Sequence, residues 1–167
     1  MSSKEFTDKT ETYRLEICGG IAAGKTTLAQ LLKHQGFPVE YERYWDNPFL
    51  NSFYNNEHCC FETEIVFTLI HYHGLLKNKG GCSDYSLIQD LAYADVNLYG
   101  TEYIIYENLY QYLISQIGLP SHLIYVKCSV PEAYQRLQSR NRQEEINITK
   151  TYMGSIVSAL EKRIFNH

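Results

Sequence analysis

The sequence predicts an α/β domain: a three-layer sandwich in which a mainly parallel sheet of about four strands carries helices on both faces. Three observations support this. A glycine-rich run, Gly19-Gly20-Ile21-Ala22-Ala23-Gly24-Lys25-Thr26-Thr27, sits between a short half-apolar strand, Leu15–Cys18, and a helix. Extended, β-prone segments alternate with segments of helical periodicity along the chain. The segment His122–Cys128 is almost wholly apolar or β-prone, the composition of a buried parallel strand.

Taken in order, residues 1–12 read as a disordered polar tail and residues 13–167 as a single domain. Thr26–His34 places Leu28, Leu31 and Leu32 at helical spacing, and Gly36 stops that helix. Phe37–Glu42 reads as a second strand ending in charge. Asp46-Asn47-Pro48 opens a helix, with Pro48 in its first turn. A longer helix over Cys59–Leu76 is predicted to bury Phe61, Ile65, Leu69 and Tyr72. After the loop 77–83, only Cys82-Ser83 precede Asp84, so the strand there is very short. Ser86 is the N-cap of a helix reaching Leu98. Glu102–Ile117 is a tyrosine-rich helix, Pro131 starts the next, and Thr149–Phe165 is the last. The segment Arg136–Glu145, between those two, is strongly charged.

The run at 19–27 has the form G-x-x-x-x-G-K-T, a phosphate-binding loop of the P-loop NTPase type. Small residues let successive backbone N–H groups wrap a phosphate chain, and the positive end of the following helix points at it. Lys25 reaches the β/γ oxygens and the Thr26 hydroxyl is a ligand for Mg²⁺. The expected ligand is a nucleoside triphosphate, ATP in the reading adopted below.

Composition narrows the classes. A net charge of −4 argues against a dedicated nucleic-acid binder, which carries a basic stripe. The 5 cysteines are odd in number and include no C-x-x-C pair, so they read as reduced thiols of a cytoplasmic protein. Residues 1–12 lack the apolar core of a signal peptide, and no apolar run reaches membrane-spanning length.

Three constellations bear on chemistry. Glu42, at the end of the second strand, is either a general base beside the γ-phosphate or a solvated strand-end carboxylate. Asp84, at the end of the third, either holds the Mg²⁺ shell or caps a turn. Arg136 and Arg140 are four residues apart and share a helix face, with Arg142 just beyond. Three guanidiniums suit a transferring phosphoryl group, and the alternative is a solvated helix laced with ion pairs.

Together these features resemble the deoxynucleoside kinases, especially the small bacterial deoxyadenosine/deoxyguanosine enzymes, over residues 13–165. The loop G-G-I-A-A-G-K-T-T has the family form. Glu42 stands five residues before Asn47-Pro48-Phe49-Leu50, as the family's general base for the sugar 5′-hydroxyl does. Asp84-Tyr85-Ser86 with Asp90 is similar to the family's acidic-Arg-Ser motif. The run Arg136 to Glu145 is similar to the phosphate-closing lid, placed at about 136–147, and Tyr152 keeps the spacing of the helix after it. The resemblance implies that Tyr54 and Glu145 contact the sugar 3′-hydroxyl, and that helices pair across a two-fold axis. On that basis the tyrosine-rich helices 84–98 and 102–117 form a candidate homodimer seam, or else simply core.

The chain departs from the family at named positions. Tyr85 stands where most members have Arg. Glu64 replaces a Gln that reads the base, so the site either favours a base edge rich in donors or holds Glu64 protonated. His71 replaces an Arg, and with Asp90 it is expected to contact a purine edge. Helix surface is the competing reading for Glu64, His71 and His73. Members also continue into a further strand and helix beyond the position of His167, so the family's C-terminal strand is expected to be missing. The resulting expectation is an ATP- and Mg²⁺-dependent kinase acting on the 5′-hydroxyl of a small-molecule deoxyribonucleoside, purine preferred, with no nucleic-acid or membrane partner. The alternatives are another small-molecule or nucleoside-monophosphate kinase, and a catalytically silent nucleotide-binding domain. A signalling GTPase is disfavoured because Asn78-Lys79 is followed by Gly80-Gly81 and no N-K-x-D motif occurs.

Overall fold

A computed structural model describes residues 13–55, 58–78, 80–142 and 145–165. The predicted tail at 1–12 lies outside the described residues. The elements run β1 (Leu15–Gly19), α1 (Lys25–His34), β2 (Val39–Glu40), a 3₁₀ turn at Tyr44–Asp46, α2 (Leu50–Tyr54) and α3 (Cys60–Lys77). Then follow β3 (Cys82–Ser83), α4 (Leu87–Asn97), α5 (Gly100–Ile117), β4 (His122–Val126), α6 (Val130–Arg140) and α7 (Lys150–Phe165). The four strands lie in the order β2-β3-β1-β4, and every pairing is parallel.

Side-chain alternation along β1 divides the layers. Leu15 and Ile17 pack with Ala29, Leu28 and Leu32 of α1 on one face. Cys18 packs with Ala92 of α4 and Leu160 of α7 on the other. A second apolar cluster joins α3, α4 and α5 around Leu75, Leu87, Leu91, Tyr106 and Tyr110. The predicted sandwich is therefore observed, with two glycines fixing the loop. A Cβ at Gly19 would lie 2.8 Å from the Val126 carbonyl oxygen, so β1 and β4 close only around glycine. Gly24 has φ 108°, a left-handed turn into α1 that side chains disfavour.

Four local expectations are corrected. The second strand is only two residues long, because the chain turns off the sheet before Glu42. The helix expected from Asp46 begins at Leu50. Asn47 holds the intervening turn, accepting from the Phe49 N–H at 3.0 Å and donating to the Thr63 carbonyl at 2.9 Å. β4 is half-buried rather than buried, since it is an edge strand among the described residues. In α3 the predicted stripe holds in part: Phe61, Ile65 and Tyr72 are half-buried against the apolar cluster, but Leu69 is 44% exposed, and the buried positions include Thr63, Glu64, Thr68 and His71. The tyrosines of α5 divide, with Tyr106 and Tyr110 in the core and Tyr112 exposed.

Glu16 is buried at the centre of β1, on the face away from α1. Arg14 binds it at 2.8 Å and uses its remaining donors to cap the last carbonyls of α5, Ile117 at 2.8 Å and Gly118 at 2.7 Å. Burial pushes the Glu16 carboxyl up to about 7 despite the attraction of Arg14. The folded state thus holds that proton more tightly than the unfolded chain, and ionisation costs stability as pH rises through 7. Arg14→Ala removes the counter-ion and the cap together. It is expected to lower unfolding free energy by about 3–5 kcal/mol near neutral pH. The loss should be smaller in acid, where the carboxyl is neutral. Urea denaturation across pH measures both, and an equal loss at every pH refutes the ion-pair account.

Candidate active site

The C-terminal ends of β1, β2 and β3 open into one cavity of about 1140 Å³. Its lining includes residues 21–28 of the loop and α1, together with Glu42, Tyr54, Glu64, His71, Asp84, Asp90, Arg136, Arg140, Arg142 and Glu145. Gly19 and Gly20 complete the loop from below. Their carbonyls accept from the Lys25 ammonium at 3.0 and 3.2 Å. Burial lowers the Lys25 pKa, while Glu42 and Asp84 oppose that shift. Positions far apart in the chain thus converge on one site because parallel strands present the same end.

Asp84 sits one residue past β3. Its Oδ2 accepts from the Thr26 hydroxyl at 2.7 Å and its Oδ1 from the Glu42 backbone N–H at 2.5 Å. The two expected Mg²⁺ ligands are therefore adjacent, both with hard oxygen donors. Among the described residues no cluster of three or more His, Cys, Asp or Glu forms a protein cage for a metal. A hydroxyl and one carboxylate suit Mg²⁺, which takes few protein ligands and completes its shell with water and phosphate oxygens.

His71 is buried, and both of its ring nitrogens face carboxylates. Nδ1 lies 2.9 Å from each Asp90 oxygen, and Nε2 lies 3.5 Å from Glu42 Oε1. The ring stacks on Tyr85 with centroids 4.3 Å apart. His71 lines the cavity, where the expectation was contact with a purine edge, and its neighbours in the structure are these two carboxylates. Burial alone raises the Glu42 pKa, but His71, with Lys25 and Arg142, holds its carboxyl below the usual range.

Glu64 is buried rather than on the helix surface. Its Oε1 accepts from Asn97 Nδ2 at 2.7 Å, and the same amide reaches the Tyr152 hydroxyl at 3.0 Å. No cation contacts it among the described residues. Burial pushes its carboxyl up to about 8, so it is neutral near pH 7 and offers both a donor and an acceptor, as a glutamine would. His73, in contrast, is exposed.

Arg136, Arg140 and Arg142 line the same cavity from separate anchors. Arg136 donates to the Ala23 carbonyl at 3.1 Å and pairs with Glu132 at 2.6 Å. Arg140 clasps Glu145 through both Nε and Nη2. Arg142 lies over the Tyr44 ring, 4.4 Å from its centroid, with Nη1 3.5 Å from Glu145. Glu144 lies outside the described residues. Tyr54 lines the cavity, and its backbone carbonyl accepts from Asn147 Nδ2 at 3.1 Å.

Sequence reasoning missed Gln89, whose Oε1 accepts from the Gly19 N–H at 3.2 Å, and also missed Asn97, Tyr44 and Tyr93. Only Gln89 carries a local signal, as the third residue after the Ser86 cap.

A family model for deoxynucleoside kinases matches residues 15–166. Deoxyguanosine kinase of Bacillus subtilis (strain 168) is 32% identical over 160 residues, spanning 90% of this chain and 77% of its own. Deoxyadenosine kinase of Dictyostelium discoideum is 27% identical over 160 residues, spanning 89% of this chain and 65% of its own. A solved structure of deoxyadenosine kinase from M. mycoides with bound dCTP superposes with a TM-score of 0.78 at 24% identity. That match covers 89% of this chain and 82% of the other, and it establishes the likeness of fold.

The neutral state of Glu64 has a measurable cost. The folded protein keeps a proton that the unfolded chain releases in the ordinary carboxylate range. Stability therefore falls as pH rises from that range through 8. Glu64→Gln is isosteric with the neutral acid. It should match wild type at about pH 5 and exceed it by a few kcal/mol at about pH 9 in chemical denaturation. Glu16 contributes the same slope to both proteins and cancels in the difference. Curves that stay parallel across pH sink the assignment.

Proposed function

The chain belongs to the deoxynucleoside kinase family and is a deoxynucleoside kinase, and from that premise we propose that it serves nucleoside salvage by moving the γ-phosphoryl group of ATP to the 5′-hydroxyl of a purine deoxyribonucleoside. The observation that carries this reading is the facing of Glu42, the loop and the lid across one cavity. The purine preference draws on the relatives named as deoxyguanosine and deoxyadenosine kinases.

In this reading the amides of Gly19–Thr27 and the Lys25 ammonium hold the phosphates. Glu42 accepts the proton of the 5′-hydroxyl as the oxygen attacks phosphorus in line. A carboxylate kept below its usual pKa by His71, Lys25 and Arg142 is present in its basic form at neutral pH. Arg136, Arg140 and Arg142 close over the transferring group, where charge spreads over three oxygens. Tyr54 and Glu145 hold the 3′-hydroxyl, and Glu64 reads the base, with Asp90 beside it. Thr26 and Asp84 would hold Mg²⁺, which neutralises charge on the phosphate oxygens when bound. Phosphoryl transfer needs mainly positioning and charge stabilisation, and these residues provide both.

The remaining particulars follow the same reading. Residues 13–167 act as a single kinase domain with a lid at about 136–147. Free thiols at Cys18, Cys59, Cys60, Cys82 and Cys128 support a cytoplasmic location. Among the described residues no helix is long and apolar enough to cross a membrane. The exposed Ile104, Ile105 and Tyr112 of α5 support a homodimer seam on that helix.

Purified protein with Mg-ATP should release ADP in the presence of deoxyguanosine or deoxyadenosine, and more slowly with the pyrimidine deoxynucleosides. Glu42→Gln should lower turnover at least about a hundredfold while leaving ATP binding intact. Full activity in that variant removes Glu42 as the base, and turnover only with nucleoside monophosphates removes the acceptor assignment.

A further inference from the structure

We propose that His71 is a positioning residue for the reaction: a buried imidazolium, clamped by Asp90 and packed flat against Tyr85, that steers the Glu42 carboxylate toward the acceptor hydroxyl. This rests on the reading of Glu42 as the proton acceptor.

The charge follows from what surrounds the ring. Nδ1 lies 2.9 Å from both Asp90 oxygens, so it carries a proton and donates it there. Nε2 is buried and has no hydrogen-bond partner among the described residues, and Glu42 Oε1 lies 3.5 Å away. In a neutral ring, Nε2 would aim a lone pair at a carboxylate oxygen 3.5 Å away, too close for a water to fit between them. Both groups repel in that arrangement, and the buried acceptor goes unsatisfied. An imidazolium places an N–H there instead and lies between two anions. Burial by itself lowers the His71 pKa, but Asp90 and Glu42 outweigh it and lift the group to about 10. Burial also raises Asp90. The shared proton stays on Nδ1 because Glu42 adds a second anion on the far side of the ring.

The ring is also held in place. Tyr85 stacks on it at 14° between planes, and Phe67 lies 5.8 Å away, centroid to centroid. Tyr85 is 2% exposed. Its hydroxyl sits where a Cβ at position 74 would be, so Gly74 is the seat that permits the stack. Tyr85 therefore supplies no charge itself but fixes the plane of the group that does. At 3.5 Å the contact with Glu42 is electrostatic rather than a hydrogen bond. The Glu42 side chain, 30% exposed, is thus biased in direction yet keeps its lone pairs for a substrate hydroxyl. Lys25 does not take this role, since its ammonium donates to the Gly19 and Gly20 carbonyls.

Two experiments test the proposal. In the wild-type enzyme, ¹⁵N NMR of the imidazole should show His71 doubly protonated at pH 8. A singly protonated ring overturns the proposal, and this readout needs neither turnover nor a variant. In steady-state kinetics, His71→Gln should lower kcat at least about tenfold with KM for ATP within about twofold, and His71→Lys, which returns a cation, should recover most of the loss. Equal losses in the two variants, full activity in His71→Gln, or an effect confined to the nucleoside KM each overturn it. If the wild-type enzyme phosphorylates no deoxynucleoside, the reading of the reaction fails, and the NMR result still decides the state of the ring.

Discussion

The Asp84 carboxylate is shared between two donors that come from opposite sides of the phosphate loop: the Thr26 hydroxyl at the start of α1 and the Glu42 N–H beyond β2. Its own backbone N–H continues the ladder to the Glu40 carbonyl at 3.2 Å. One side chain past the end of β3 thus joins the start of α1 to the segment beyond β2 at the point where the sheet stops. The register makes this possible, because Leu15 and Val39 both align with Cys82, and Glu16 and Glu40 both align with Ser83. A slip of one residue would turn Asp84 to the other face and separate Thr26 from Glu42. The sheet can therefore be as short as two residues at β2 and β3 and still fix the site, since the carboxylate finishes what the ladder begins.

How much of this was legible in the sequence depended on how local the physics was. The phosphate loop, the Ser86 cap and the helix after Pro131 rest on contacts within a few residues. The sequence states such contacts directly: the Ser86 hydroxyl accepts from the Gln89 N–H, as its position predicted. Helix α3 was misread because apolar periodicity normally marks the buried face. Here part of the buried face looks into a polar cavity, so Thr63, Glu64 and His71 turn inward, while Thr68 bonds the Tyr106 hydroxyl in the core and Leu69 turns outward. The Asn97–Glu64 and Gln89–Gly19 bonds span 33 and 70 positions, and no local pattern announces such pairs. The resemblance to a family named residues that line one cavity but not their partners, and the partners determine which groups are charged.

Neutralisation in the floor of the site is pairwise or by protonation. Glu42 and Asp90 flank the His71 ring, Asp84 accepts two hydrogen bonds, and Glu64, with only an amide for company, keeps its proton. An unpaired buried charge costs several kcal/mol, so each arrangement is strongly determined. The consequence is a floor whose donors and acceptors are set before any ligand arrives. That is the condition under which hydrogen bonds and dipoles stabilise a transition state without reorganising.

The roof follows a different rule. Arg140 and Arg142 are 31% and 39% exposed, and their partners are Glu145 and the Tyr44 ring. Glu145 is only 11% exposed and Arg140 holds it through two nitrogens, so that pair exceeds the roughly 0–1 kcal/mol of a fully solvated one. A phosphate oxygen offers a guanidinium a charge-assisted, bidentate partner at least as good. Arg136 differs, because its bond to the Ala23 carbonyl ties α6 to the loop itself. The three arginines that line the cavity are thus held by three different kinds of partner, a loop carbonyl, a carboxylate and an aromatic ring.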